Sequence, residues 1–287
     1  MNDYTILGFL GDGKFARVYK AFHKIEHVNV ALKVIKFRDD DDRYMIRDEI
    51  MIHELVQHES IVKLYGYFPF LNNKFTIIME YVEGQELFDV IEKNNLDDQT
   101  IQSYFYQMLN AIMYLQTINI IHRDIKPENI LITKSNKVKL SDFGLAKKLD
   151  NIREQTCSTW CGTTEYLAPE IVEGYDYNYK IDNWALGILL YELITKRTPF
   201  ESEKRKKTLR KITKCNYYKN VTRNQLFQKI FHLLIVLNPK HRSELSKIKS
   251  LFTSSDDITE DATKEDATKE NATEENVVEE NVAEEEE

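Results

Sequence analysis

Hydrophobic spacing along this 287-residue chain changes period once, near residue 85, and that change limits the possible folds more than any single residue does. Upstream, five short runs rich in β-branched and aromatic residues, at 4–9, 18–22, 30–37, 61–68 and 75–80, predict strands. One amphipathic stretch interrupts them: residues 43–56 carry Met45, Ile46, Ile50, Ile52, Leu55 and Val56 near helical spacing, with charges between. Downstream the spacing is helical. Residues 100–117 repeat Ile101, Phe105, Met108, Leu109, Ile112 and Leu115, while 181–195 is nearly all apolar, as a buried helix is. Residues 226–237 and 245–252 predict two more helices. An α+β fold of two lobes follows, a small β-rich one with a single helix and a larger α-helical one, with a cleft between them as the natural ligand site.

Charge is unevenly placed. Residues 253–287 hold 15 acidic residues against two lysines, a net charge of −13, and the first 252 carry +5. From 260 to 284 the chain repeats every five residues with too little apolar surface to offset ordering entropy, so this tail is expected to be disordered. A basic cluster at 204–211 reads as a solvated helix face, an import signal or a docking patch for the tail. No basic stripe interleaved with aromatics points to direct nucleic-acid binding. No apolar run approaches about 20 residues, and residues 1–10 lack the pattern of a secretory leader. The three cysteines have neither disulfide-framework nor zinc spacing. Together these predict an intracellular protein that neither spans a membrane nor binds nucleic acid.

Three motifs carry chemistry. Gly11-Asp12-Gly13-Lys14-Phe15-Ala16-Arg17-Val18 lies between two strand-like runs, where glycines let backbone N–H groups approach phosphate oxygens. Taken alone, an ordinary hairpin turn looks the same, and Ala16 stands at the third glycine position. Lys33, in the apolar run Val30-Ala31-Leu32-Lys33, needs its charge paired, and Glu49 on the following helix is the natural partner. A structural ion pair or a snorkelling lysine would also account for it.

The third motif decides between these readings. His122-Arg123-Asp124-Ile125-Lys126-Pro127-Glu128-Asn129 precedes Ser141-Asp142-Phe143-Gly144 and then Ala168-Pro169-Glu170. Asp124 can orient an attacking hydroxyl and take its proton. Lys126 can offset charge on a transferred phosphate, and Asn129 and Asp142 offer hard oxygens to a metal.

Over about residues 4–252 the chain thus resembles the eukaryotic protein kinases. The resemblance implies a kinase domain at 1–252, with an N-lobe at 1–80, a hinge at 81–85 and a C-lobe at 86–252. It also implies ATP as donor with Mg2+. Leu10, Gly11 and Gly13 match the nucleotide loop, Val18, Ala31 and Leu131 the residues that sandwich adenine, and Met79 the back of its pocket. Glu80 to Val82 match the hinge backbone. By the same resemblance Lys33 grips the phosphates, Glu49 steadies it, and Glu170 pairs with Arg242. Lys126 and Gly162-Thr163 match serine/threonine kinases. Glu86, Glu128 and Glu192 match carboxylates that read basic residues before the acceptor, although Glu86 also suits the ATP ribose and Glu192 a structural pair. Thr159 aligns with the activation-loop phosphosite, with Ser158 as competitor and Arg123 and Lys147 as its cationic partners.

Lys14 to Tyr19, residues 61–68, 181–187 and 208–212 look like the Aurora family, which works at spindles and kinetochores with an activator docked on the small lobe. Leu145 and Asp48 depart from it, where that family carries tryptophan and a basic residue. The cyclic-nucleotide-dependent, calmodulin-dependent and polo-like groups are the alternatives within the superfamily. A pseudokinase scaffold is the alternative outside enzymes, disfavoured because Lys33, Glu49, Asp124, Asn129 and Asp142 are all intact.

Overall fold

The computed structural model describes residues 3–12, 16–71 and 73–252. Gly13, Lys14, Phe15 and the acidic tail lie outside the described residues. The chain divides at Ser243/Glu244 into two compact units. All five predicted strands form one antiparallel sheet: β1 (Tyr4–Asp12), β2 (Ala16–His23), β3 (Val28–Lys36), β4 (Leu64–Leu71) and β5 (Lys74–Glu80), in the order β1-β2-β3-β5-β4. Strand alternation sorts the faces. Ile35 and Ile77 meet Ile46 and Ile50 of helix α1 (Asp40–Glu54), while Val30, Leu32 and Ile78 cluster on the opposite face. Ala16 packs against the α1 side, so its methyl group is absorbed by that core.

Helix α1 begins where Asp39 accepts the Asp42 N–H at 2.9 Å, with three acidic residues in the first turn facing the helix dipole. Two expectations fail at and after this helix. Met45 and Leu55 are exposed, because apolar spacing alone does not say which side meets the sheet. β4 also starts at Leu64 rather than at residue 61. The Val62 N–H bonds to Leu140 O at 2.9 Å and Ser60 O takes the Leu140 N–H at 2.8 Å, so this backbone is committed elsewhere.

The second lobe opens with two elements that the helical pattern had hidden, β6 (Gly84–Glu86) and α2 (Leu87–Lys93). Gly84 is obligatory, since a Cβ there would lie 1.9 Å from the Ile132 carbonyl oxygen. Helix α3 (Asp98–Thr117) starts at Asp97, whose carboxylate accepts the Thr100 N–H. Short strands β7 (Ile120–Ile121), β8 (Ile130–Thr133), β9 (Val138–Leu140) and β10 (Lys147–Lys148) follow, with β6-β8-β9 and β7-β10 forming two small sheets. Helix α4 (Pro169–Val172) leads to α5 (Lys180–Thr195), buried along almost its whole length between α3 and α7. Helices α6 (Arg205–Thr213) and α7 (Gln225–Leu234) complete this unit.

Helix α7 stops at Leu234, three residues short of expectation. Val236 O instead accepts Nη2 and Nε of Arg242 at 3.1 and 3.3 Å, and Pro239 disfavours continuation. Arg242 also makes the expected fork to Glu170, at 2.8 and 3.1 Å, deep in the core. In the second unit, residues 245–252 are helical.

Candidate active site

Sheet register brings the small-lobe residues into rows. Gly11 lies opposite Val18, Val18 opposite Lys33, and Ala31 opposite Met79. The space where a Gly11 Cβ would sit is open, and Leu10 is exposed beside it. Lys33 points from the face that meets α1, and its Nζ donates to Glu49 Oε1 at 2.7 Å and to Asp142 Oδ1 at 2.8 Å. Burial works against the Lys33 charge, yet the two carboxylates outweigh it and hold its pKa above the ordinary value. Burial also lifts the Glu49 carboxyl, with Lys33 opposing. Asp142 is 45% exposed; burial raises its pKa, but Lys33 wins and keeps it low.

Strand β5 ends at Glu80, whose carboxylate pairs with Lys139 at 2.8 Å and accepts the Lys63 N–H at 3.1 Å. This anchor of the segment running to Val82 was missing from the sequence reading. Glu86 lies opposite Leu131 across β6 and β8.

The catalytic-loop motif is fixed from beneath by α5. Asp182 accepts the His122 and Arg123 N–H groups at 2.8 and 3.0 Å. That carboxylate lies about 60 residues away in sequence, beyond any local pattern. Asp124 Oδ2 meets Lys126 Nζ at 3.0 Å, Thr163 Oγ1 donates to Asp124 Oδ1 at 2.9 Å, and Lys126 donates to the same hydroxyl at 2.9 Å. Thr163 therefore closes a triangle with the two residues singled out by sequence. Asn129 Nδ2 donates to the Asp124 carbonyl and to its Oδ2 at 2.8 and 2.9 Å. The Asn129 carbonyl accepts the Ser141 N–H and hydroxyl at 2.8 and 2.9 Å, one residue before Asp142. One asparagine thus links the two aspartates. Phe143 is buried, stacked on His53 at 4.6 Å and edge-on to His122 at 5.2 Å.

Among the described residues no cluster of three His, Cys, Asp or Glu side chains could cage a metal. Asp142 and Asn129 carry hard oxygens, a donor set that would suit a cation taking its remaining ligands from phosphate and water. Hydrogen bonds to Asp142 all fall on Oδ1, from Lys33 and the Gly144 N–H.

The regulatory residues are brought together only in part. Thr159 is exposed, and among the described residues neither a hydrogen bond nor an ion pair joins its side chain to Arg123 or Lys147. Arg123 instead donates Nε to Leu145 O at 2.6 Å and Nη1 to the Tyr177 hydroxyl at 3.0 Å. Lys147 pairs with Ile121, two residues before Arg123, and both cations act on the Cys157 thiol, so they share one neighbourhood. Glu128 is the common neighbour of the other two carboxylates. Glu128 acts on both Glu86 and Glu192, and Glu192 accepts the Tyr166 hydroxyl at 2.5 Å. Burial, together with Glu128, Glu201 and Glu165, lifts the Glu192 carboxyl to about 7 against that hydrogen bond.

A β-sheet lobe with a lysine–glutamate–aspartate chain, joined to a helical lobe with an Asp–Lys–Thr triangle, is the architecture of the protein kinases. The chain belongs to that family, matching the protein kinase domain over residues 4–254. It is a serine/threonine protein kinase similar to Aurora kinases. The Aurora kinase of Saccharomyces cerevisiae is 36% identical over 254 residues, covering 87% of this chain and 68% of that one. Aurora kinase C of Mus musculus is 34% identical over 253 residues, covering 86% and 90%. Membership implies ATP as phosphate donor and protein as acceptor. No helix among the described residues is long and apolar enough to cross a membrane.

Proposed function

We propose that this kinase, with its domain at 1–252, phosphorylates serine or threonine lying two or three residues after Arg or Lys, and acts in Aurora-like control of spindles and chromosome segregation. Asp124 orients the acceptor hydroxyl and takes its proton, while Thr163 and Lys126 hold that carboxylate in place. Lys126 also offsets charge on the transferred phosphate. Lys33, steadied by Glu49, grips the nucleotide phosphates. Asn129 and Asp142 hold Mg2+, which when bound neutralises phosphate charge. Val18, Ala31, Leu131 and Met79 enclose adenine beside Glu80 to Val82. The observation that most supports this reading is the link through Asn129, which ties the proton-accepting loop to the metal-holding aspartate.

The action of Glu128 on both Glu86 and Glu192 supports a cationic peptide as substrate, since neighbouring like charges are relieved by an opposite one. Exposed apolar side chains on the small lobe, among them Phe9, Met45 and Leu55, support an activating protein docked there. The Aurora names of the relatives fit the mitotic role and a spindle or kinetochore location, and the exposure of Thr159 near Arg123 and Lys147 supports it as the activating phosphosite.

Radiolabelled ATP and a basic substrate protein test the chemistry. Asp124→Asn should lower kcat by about 10²- to 10⁴-fold, the range for removing a general base. A retained rate would reject the assignment. A positional-scanning peptide library should select Arg or Lys before the acceptor, and an absence of selection removes that part of the proposal. Thr159→Ala should depress activity sharply. Imaging of the tagged protein through division tests the location.

A further inference from the structure

We propose that Tyr177 is a positioning residue whose phenol joins Arg123 to the Thr159 carbonyl, holding the activation segment in its working arrangement before any phosphate is attached. The inference rests on the kinase reading above and concerns how that same site is regulated.

Arg123 follows His122 in the catalytic loop, with its backbone in the left-handed region at φ 69°. Its guanidinium is partly buried, yet among the described residues no carboxylate pairs with it. A guanidinium has donors only and needs acceptors when withdrawn from water. Two are supplied, the Leu145 carbonyl and the Tyr177 hydroxyl.

Tyr177 is itself 3% exposed, and its hydroxyl is used in both senses. It accepts from Arg123 Nη1 at 3.0 Å and donates to the Thr159 carbonyl at 2.8 Å, with Cys161 Sγ 3.7 Å away. Its backbone adds a second tie. The Cys157 N–H bonds to Tyr177 O at 2.7 Å, and the Tyr177 N–H bonds to Cys157 O at 2.8 Å, an isolated antiparallel bridge. One residue therefore grips the segment 157–159 by main chain and side chain together, and connects it to the arginine beside the proton-accepting Asp124.

A phosphate on Thr159 would do the same work by another route. Arg123 spends Nε and Nη1 on its two acceptors, and Nη2 has no hydrogen-bond partner among the described residues. Nη2 and Lys147 are the cationic donors that a phosphoryl group on this segment can recruit. Tyr177 and the phosphate then bias one two-state element in the same direction. The tyrosine should matter most when the phosphate is absent, and little once it is present.

The test uses the full chain in two forms, phosphatase-treated and carrying phosphothreonine incorporated at 159 during translation. Tyr177→Phe keeps the buried ring and the backbone bridge while removing only the hydroxyl. In the unphosphorylated form it should lower kcat about tenfold with the ATP KM within twofold, and amide exchange in the 155–161 peptide should quicken about tenfold. With phosphothreonine at 159, kcat should return to within twofold of the equally phosphorylated wild type. A merely structural tyrosine would lose the same factor in both forms, and that result overturns the inference, as does unchanged kcat and exchange in the unphosphorylated form. Asp124→Asn separates the two levels. If it transfers phosphate as fast as wild type, the kinase reading falls, and amide exchange alone still decides the role of Tyr177.

Discussion

Under the proposed function, Glu192 on a buried helix becomes a sensor of substrate charge. Its carboxyl is pushed up to about 7, first by burial and then by Glu128, Glu201 and Glu165, with the Tyr166 hydrogen bond opposing. Because the folded value lies above the ordinary 4.5, Glu192 contributes stability that is present below pH 4.5 and lost as pH rises through 7. For a cationic peptide the sign reverses, since the ionised form attracts Arg or Lys. The KM for a peptide with basic residues before the acceptor should fall several-fold between pH 6 and 8, while an alanine-substituted peptide shows no such trend. Glu192→Gln should flatten the difference. A pH-independent ratio of the two KM values in wild type would exclude this role. Glu192 was legible from its motif position, but its protonation follows from neighbours that only folding collects.

The contact of α1 with the stretch leading to β4 turns on His53. Its Nε2 lies 2.7 Å from the Val62 carbonyl, and a carbonyl only accepts, so Nε2 carries the proton. The ring stacks on Phe143, so α1, the stretch leading to β4 and the Asp142 segment meet at one side chain. Burial drives the His53 pKa below 6.5, with the Val62 bond opposing and Lys33 assisting. A histidine depressed in the fold contributes stability above pH 6.5 that is lost as pH falls through its folded value. His53→Gln keeps a donor for Val62 and removes the titration. The urea midpoint of wild type should therefore fall more than that of the variant between pH 7.5 and 5.5, and parallel curves would reject the argument. Helix α1 was visible in the spacing of Ile46 and Ile50. The contact from His53 to Phe143 crosses too much sequence to be read locally.

Across the whole kinase unit, Glu170 and Arg242 hold distant segments of the large lobe together. The fork is fully enclosed, and Arg242 further donates to Lys180 O and lies 5.1 Å from the Trp184 ring. Removing one partner of such a pair leaves an uncompensated buried charge, at a cost of about 3–5 kcal/mol. Arg242→Met should lower Tm by roughly 10 °C. Adding Glu170→Gln should recover part of that loss, because the orphaned charge goes with it. A double variant less stable than the single would contradict this account. The nucleotide acts on the same scale: MgATP at 100 times its Kd should stabilise the fold by about 2.7 kcal/mol. Asp142→Asn should remove the Mg2+-dependent part of the melting shift, and an unchanged shift would unseat Asp142 as a metal ligand.

The sequence by itself determined the two-lobed plan and singled out the groups proposed to react. Hydrophobic period is a local property, and Lys33 in an apolar strand already demanded the partner that Glu49 supplies. Tertiary structure alone decided what steadies those groups. Asp182 beneath the catalytic loop, Thr163 between Asp124 and Lys126, and Tyr177 on Arg123 act across 39 to 60 residues of chain. It also decided where elements end, as when Arg242 claims the Val236 carbonyl and α7 stops short. Hydrogen-bonding groups must be satisfied wherever the fold buries them, and which partner satisfies each one is settled only when distant segments meet.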